Sequence, residues 1–347
     1  MKKKNLLWLI AVPLAWAFSL AWDYYQWIYL PNVNMSEEFI ELYIPSESSF
    51  EDVLEILRKD SLLKNEEGFI WVSELKNYPN LIKPGHYVID PKLNNKSFVD
   101  LLRSGGQVAV KVMFRNIDNL RQLAGSVGSQ LETDSTELLE QFGNEALITR
   151  LGFKKETIMA MFLPNTYEFY WNTSAVDYME RMNREYKEYW TSSRIDKAER
   201  LNLTPTEVIT LASIVEKEVI FPVEYPKVAG LYLNRLRKGW LLGSDPTIIF
   251  ALQEAYPDTV IRRVLRKDLK INSPYNTYEN KGLPPGPICI PSLKAIDGVL
   301  NSERHNFMFM VASVARPNYH EFSETLSQHN YYARQYHNWL NQQRVMR

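Results

Sequence analysis

From Leu6 to Trp22 the chain runs seventeen residues without a charge, between Met1-Lys2-Lys3-Lys4-Asn5 and Asp23. A run so apolar belongs in the hydrocarbon of a bilayer, for which it is at the short end of spanning length, or in a protein core. Three lysines before it, and Tyr24, Tyr25, Trp27 and Tyr29 after it, match the charged near side and aromatic far side of a spanning helix. The expectation is a cytoplasmic tail at 1–4 and a transmembrane anchor at 5–25. The remainder would then lie outside the cytoplasm, held single-pass at the cell (inner) membrane. A cleaved signal peptide, with Ala15-Trp16-Ala17 as its small-x-small site, is the competing reading. The length of the run and the bulky aromatics beyond it favour retention.

The 347 residues suffice for two or three packed domains. A net charge of −1 gives no basic face for nucleic-acid phosphates, so no nucleic-acid partner is expected. A single cysteine, Cys289, rules out an internal disulfide, and the five histidines include no HExxH pattern. No metal or other cofactor is expected.

The fold class expected is α+β: the transmembrane helix, a small β-α-α-β subdomain at 36–112, and a larger mixed domain at 113–347. In the first part, Phe39 to Ile44 reads as a strand stopped by Pro45. Ser48 and Glu51 read as a capping box opening a helix. Asn65 caps a second helix, and Tyr87 to Ile89 returns as a strand after the turn Lys83-Pro84-Gly85-His86. That order is the plan of small LysM-type carbohydrate-binding modules. Ser97 to Arg103 adds a helix before a strand at 108–114. Residues 116–200 are mainly helical by their apolar spacing, interrupted at Phe162 to Tyr170 by a turn and strand.

Thr204-Pro205-Thr206-Glu207 opens a helix: Thr204 at N-cap, Pro205 where its missing N–H costs nothing, and Glu207 completing the box. At about 100° per residue, Leu211, Val215, Val208, Val219, Ala212 and Ile209 fill one arc. Glu216 falls inside that arc. A carboxylate there is costly to keep ionised, which favours the protonated form that a general acid needs. A buried Glu paired with Arg235 or Arg237 is the structural alternative, and helical position alone leaves the two level. Loops rich in hydroxyl, carboxyl and amide groups follow, at Ser244-Asp245-Pro246-Thr247 and Tyr275-Asn276-Thr277-Tyr278.

The segments Leu211-Ala212-Ser213-Ile214-Val215-Glu216-Lys217-Glu218, Asn234-Arg235-Leu236, Ser244-Asp245-Pro246-Thr247, Tyr275-Asn276-Thr277-Tyr278 and Gly282-Leu283-Pro284-Pro285-Gly286 occur in this order. This series resembles the MltG/YceG-like endolytic murein transglycosylases, and the core motifs lie within 204–290. Lys83 to Tyr87 resembles the end of that family's LysM-like subdomain. Pro164-Asn165-Thr166-Tyr167 stands where the family has an Asp in place of Asn165.

The resemblance implies cleavage of the β-1,4 bond between N-acetylmuramic acid and N-acetylglucosamine in nascent peptidoglycan. A 1,6-anhydro end is left, and glycan elongation is terminated. Glu216 is then expected to act as acid and afterwards as base, with Glu218, two residues on, pointing elsewhere. Asn234, Asp245, Tyr275, Asn276, Thr277 and Tyr278 are the expected saccharide contacts. His320, Phe322 and His329 are expected to be structural. The expected partners are glycan strands, the wall-synthesis machinery and, through the N-terminal helix, the membrane. A muramidase-type hydrolase using Glu216 with Asp245 and a non-catalytic glycan-binding scaffold remain alternatives.

Overall fold

The computed structural model describes residues 2–34, 39–257, 259, 261 and 263–342, with side chains from residue 11 onward. The chain divides into two compact units.

The first unit holds 1–112 with two later segments, 130–133 and 167–174. It begins with α1 (Lys2–Tyr29), which carries Pro13 inside it. The expected transmembrane anchor is corrected here: among the described residues no helix is long and apolar enough to cross a membrane. Physically, residues 11–29 bring Asp23, Gln26 and three tyrosines into the helix, and its C-terminal end already has a protein partner. Tyr24 packs on Trp71 at 5.0 Å between ring centroids, and the Trp27 carbonyl accepts from Asn95 Nδ2 at 2.8 Å. No helix among the described residues confirms the single-pass topology that rested on this run.

After α1 come β1 (Ile40–Ile44), α2 (Phe50–Lys59), α3 (Glu66–Leu75), β2 (Gly85–Ile89), α4 (Asn95–Ser104) and β3 (Val110–Met113). β1 and β2 pair antiparallel, Ile40 opposite Ile89 and Ile44 opposite Gly85. The period of two turns Leu42 and Ile44 into a core with Val53, Leu57, Phe69, Tyr87 and Phe98. Each helix has a chemical start: Ser49, Asn65 and Asn94 accept from backbone N–H groups of the first turn. Gly105, at φ 75°, ends α4 in the left-handed region that glycine enters freely.

The second unit opens with α5 (Leu120–Gly128), α6 (Ser135–Phe142) and α7 (Glu145–Leu151), after which the chain returns to the first unit with β4 (Thr166–Phe169), a strand paired with β3. Then α8 (Ala175–Tyr189) and α9 (Ser192–Arg200) lead into α10 (Pro205–Glu218). α10 has its capping box, with the Glu207 N–H to Thr204 Oγ1 and the Thr204 N–H to Glu207 Oε2. The helix is central: α9, α11 (Tyr225–Arg237), α12 (Asp245–Ala255) and α13 (Leu293–Leu300) all pack on it. Val208 to Val215 are consequently buried all round, rather than along one arc. The chain closes with the antiparallel hairpin of β5 (Phe309–Ala312) and β6 (His320–Ser323), followed by α14 (Leu326–Gln342).

Candidate functional site

Because α10 is enclosed, its last turn sends acidic side chains into two different environments. Glu216 and Glu218 are about 200° apart around the axis. Glu216 faces α13 and the start of α11. Its Oε2 accepts from Ser292 Oγ at 2.6 Å and from the Ser292 N–H at 3.3 Å. The nearby Tyr225 hydroxyl, also hydrogen-bonded to Glu216, is pushed up to about 12 by burial and by that carboxyl's charge. No lysine or arginine forms an ion pair with Glu216 among the described residues. Arg235 instead donates to the carbonyls of Met308 and Leu242, and Arg237 to Asn234 Oδ1. Lys217, between the two glutamates, pairs with Asp118 at 2.5 Å.

Glu218 turns to the other flank. Part of the side chain reaches a surface cleft, yet the carboxyl is enclosed by protein. Its Oε1 accepts from Ser244 Oγ at 2.5 Å and from the Tyr232 hydroxyl at 2.7 Å. Burial lifts its pKa above the ordinary carboxylate value, and Asp245 nearby adds to the rise; the two hydroxyl donors and His320 oppose it. Burial dominates. The Tyr232 phenol is held well above its usual range by burial and by the charge of Glu218, so it remains a donor.

The cleft has a volume of about 240 Å³ and is lined by Glu218, Ile220, Ser313, Tyr319, His320 and Trp339 among others. His320 is anchored from behind by Glu224, and Tyr319 stacks on Phe221 with centroids 4.7 Å apart. A larger open groove, about 1320 Å³, lies at the opposite end of α10 against Thr206, Glu207, Thr210 and Arg237. It holds neither carboxyl of the last turn, so size is a poor guide to the chemistry.

The expected contacts separate into two groups. Asp245 and Tyr278 stand on the Glu218 side, with the Tyr278 hydroxyl donating to Asp245 Oδ1 at 2.6 Å. Burial and that carboxylate raise the pKa of Tyr278. Thr277 is buried and supports Ser244: its Oγ1 accepts the Ser244 N–H at 3.0 Å and lies 2.8 Å from Thr247 Oγ1.

The remaining three make contacts within the protein. Asn276 is wholly buried and donates to the Leu269 and Ile271 carbonyls at 3.0 and 2.8 Å. Asn234 donates to the His305 and Phe307 carbonyls at 2.8 and 3.1 Å. Tyr275 packs on Phe250, 4.6 Å between centroids. Sequence reasoning named Glu218 only as pointing elsewhere and Ser244 only within a loop motif, and it singled out neither Tyr232 nor the pairing of Glu224 with His320. The signal for Glu218 lay in its 200° separation from Glu216, read only as pointing away from the site.

The YceG-like family model matches residues 42–335. The endolytic murein transglycosylase of Bacillus subtilis (strain 168) is 25% identical over 316 residues, covering 86% of this chain and 85% of that protein. The endolytic murein transglycosylase of Streptococcus pneumoniae (serotype 2, strain D39) is 28% identical over 312 residues, 82% of this chain. This chain spans 56% of that longer relative. A 2.6 Å crystal structure of a yceG-like protein from Listeria monocytogenes superposes with a TM-score of 0.55 at 27% identity, covering 85% of this chain and 99% of that one.

Proposed function

We propose that this chain, which belongs to the YceG-like family, is an endolytic lytic transglycosylase of peptidoglycan whose proton is moved by Glu218. The observation that supports the residue assignment is the Glu218 side chain on the cleft, its enclosed carboxyl held above the ordinary carboxylate pKa by burial. Glycosidic cleavage needs a proton on the leaving oxygen, and a carboxyl whose pKa is raised by burial is the better donor for it.

The steps balance without water. Protonated Glu218 gives its proton to the glycosidic oxygen as the bond from muramyl C1 breaks. The carboxylate then takes the proton of the muramyl O6 hydroxyl as O6 bonds to C1, closing the 1,6-anhydro ring and restoring the acid. With the second nucleophile supplied by the sugar, one carboxyl suffices where a hydrolase uses two. Ser244 and Tyr232 both hold Oε1 and would steady the ionised state between the steps. Asp245 and Tyr278 sit beside this carboxyl and are proposed to orient the saccharide.

Cleavage inside nascent strands would put the enzyme beside the wall-synthesis machinery, outside the cytoplasm, and end strand growth. Residues 36–112 would then serve as an accessory module to the catalytic portion at 113–347.

Mass spectrometry of purified glycan strands after digestion tests the reaction. Anhydromuramyl ends are expected. Reducing muramyl ends would instead mean a hydrolase pairing Glu218 with Asp245, and intact strands would mean a non-catalytic binding protein.

A further inference from the structure

Glu224 is a buried carboxylate with no part in the steps above. It is 6% exposed and ends the short turn Pro222–Glu224 just before α11. Both of its oxygens serve one residue. Oε1 accepts the His320 backbone N–H and Oε2 faces the His320 ring Nδ1, each at 3.1 Å. A buried carboxylate is costly unless hydrogen-bonded, and an ionised one only accepts. Nδ1 must therefore carry a proton, which leaves Nε2 as the ring's free position. The ring is also braced by Phe322, edge-on at 6.2 Å between centroids. His320 opens β6 and lines the same cleft as Glu218, and no described protein group bonds its Nε2.

We propose that His320 is a substrate-contacting residue of this cleft. Its Nε2 accepts a hydrogen bond from a hydroxyl or amide N–H of the saccharide presented to Glu218, and Glu224 is the positioning residue that fixes the ring's tautomer. A carboxylate fixing one imidazole nitrogen so that the other works in a defined orientation is a general device, and misplacing a contact by an ångström costs rate steeply. The inference rests on the cleft being the glycan site.

The test compares His320→Asn with His320→Gln in the full chain on purified glycan strands. The Asn amide keeps a donor near the Nδ1 position for Glu224 but has nothing near Nε2; the Gln amide reaches toward Nε2. His320→Asn is expected to lose about tenfold or more in kcat/KM with an unchanged Tm, and His320→Gln to recover part of it. ¹⁵N NMR of the wild type should show His320 protonated at Nδ1 and bare at Nε2. The inference is overturned by His320→Asn turning over within about twofold of wild type while Glu218→Gln is inactive, or by a proton found on Nε2 of neutral His320. A wild type that cuts no glycan overturns the functional reading as well.

Discussion

Gly286 closes the segment Leu283-Pro284-Pro285-Gly286, and a methyl group there has no room. A Cβ at this position would lie 1.7 Å from the Glu156 carbonyl oxygen and 2.6 Å from its carbonyl carbon. Real Cβ contacts stay above 3.0 Å, so one backbone must retreat by about 1.3 Å. Both partners are main chain, so no side-chain rotation relieves the clash. Overpacking of this kind costs about 3 kcal/mol, the upper end of the usual range. For a unit of this size that corresponds to roughly 6–12 °C in melting temperature. Differential scanning calorimetry of Gly286→Ala against wild type reads it directly. A Tm within about 2 °C of wild type would refute the packing argument, since less than 1 kcal/mol would then be at stake.

Removing the Ser244 hydroxyl (Ser244→Ala) takes away a charge-assisted bond to ionised Glu218, worth about 1.5–3 kcal/mol. That bond lowers the Glu218 pKa, so its loss raises it further, and the protonated form competent for the first step persists to higher pH. The alkaline limb of the kcat/KM profile should move upward, and a downward move contradicts the assignment. Asn276→Ala should lower Tm through two orphaned carbonyls, about 1–3 kcal/mol each, with KM little changed in the folded fraction. A raised KM at full stability would make it a saccharide contact after all.

Much of the local architecture was legible because it rests on short-range chemistry. The Thr204 and Glu207 box and the Asn65 cap stand where the sequence put them. The α2 box slipped by one residue, to Ser49 and Asp52, because the Ser48 hydroxyl turns back to the Pro45 carbonyl at 2.7 Å. The site was less legible. A helical wheel finds one buried face, but α10 is packed on all sides, so Glu216 and Glu218 each leave it into a separate environment. Asn234 and Asn276 have the composition of sugar ligands, yet their amides satisfy carbonyls of their own scaffold, a choice that only long-range packing makes. Beyond the Leu6–Trp22 run, Tyr24 and Trp27 were read as an interfacial belt, yet Trp71 and Asn95 come to them from far along the chain.

The most direct test of Glu218 as the proton carrier is a side-by-side assay of Glu218→Gln and Glu216→Gln, counting anhydromuramyl ends released per unit time from purified strands. Glu218→Gln should release none above background at an unchanged Tm, while Glu216→Gln, which alters the bonds to Ser292 and Tyr225, should keep measurable turnover. An active Glu218→Gln beside a dead but folded Glu216→Gln would return the chemistry to the other flank of the helix.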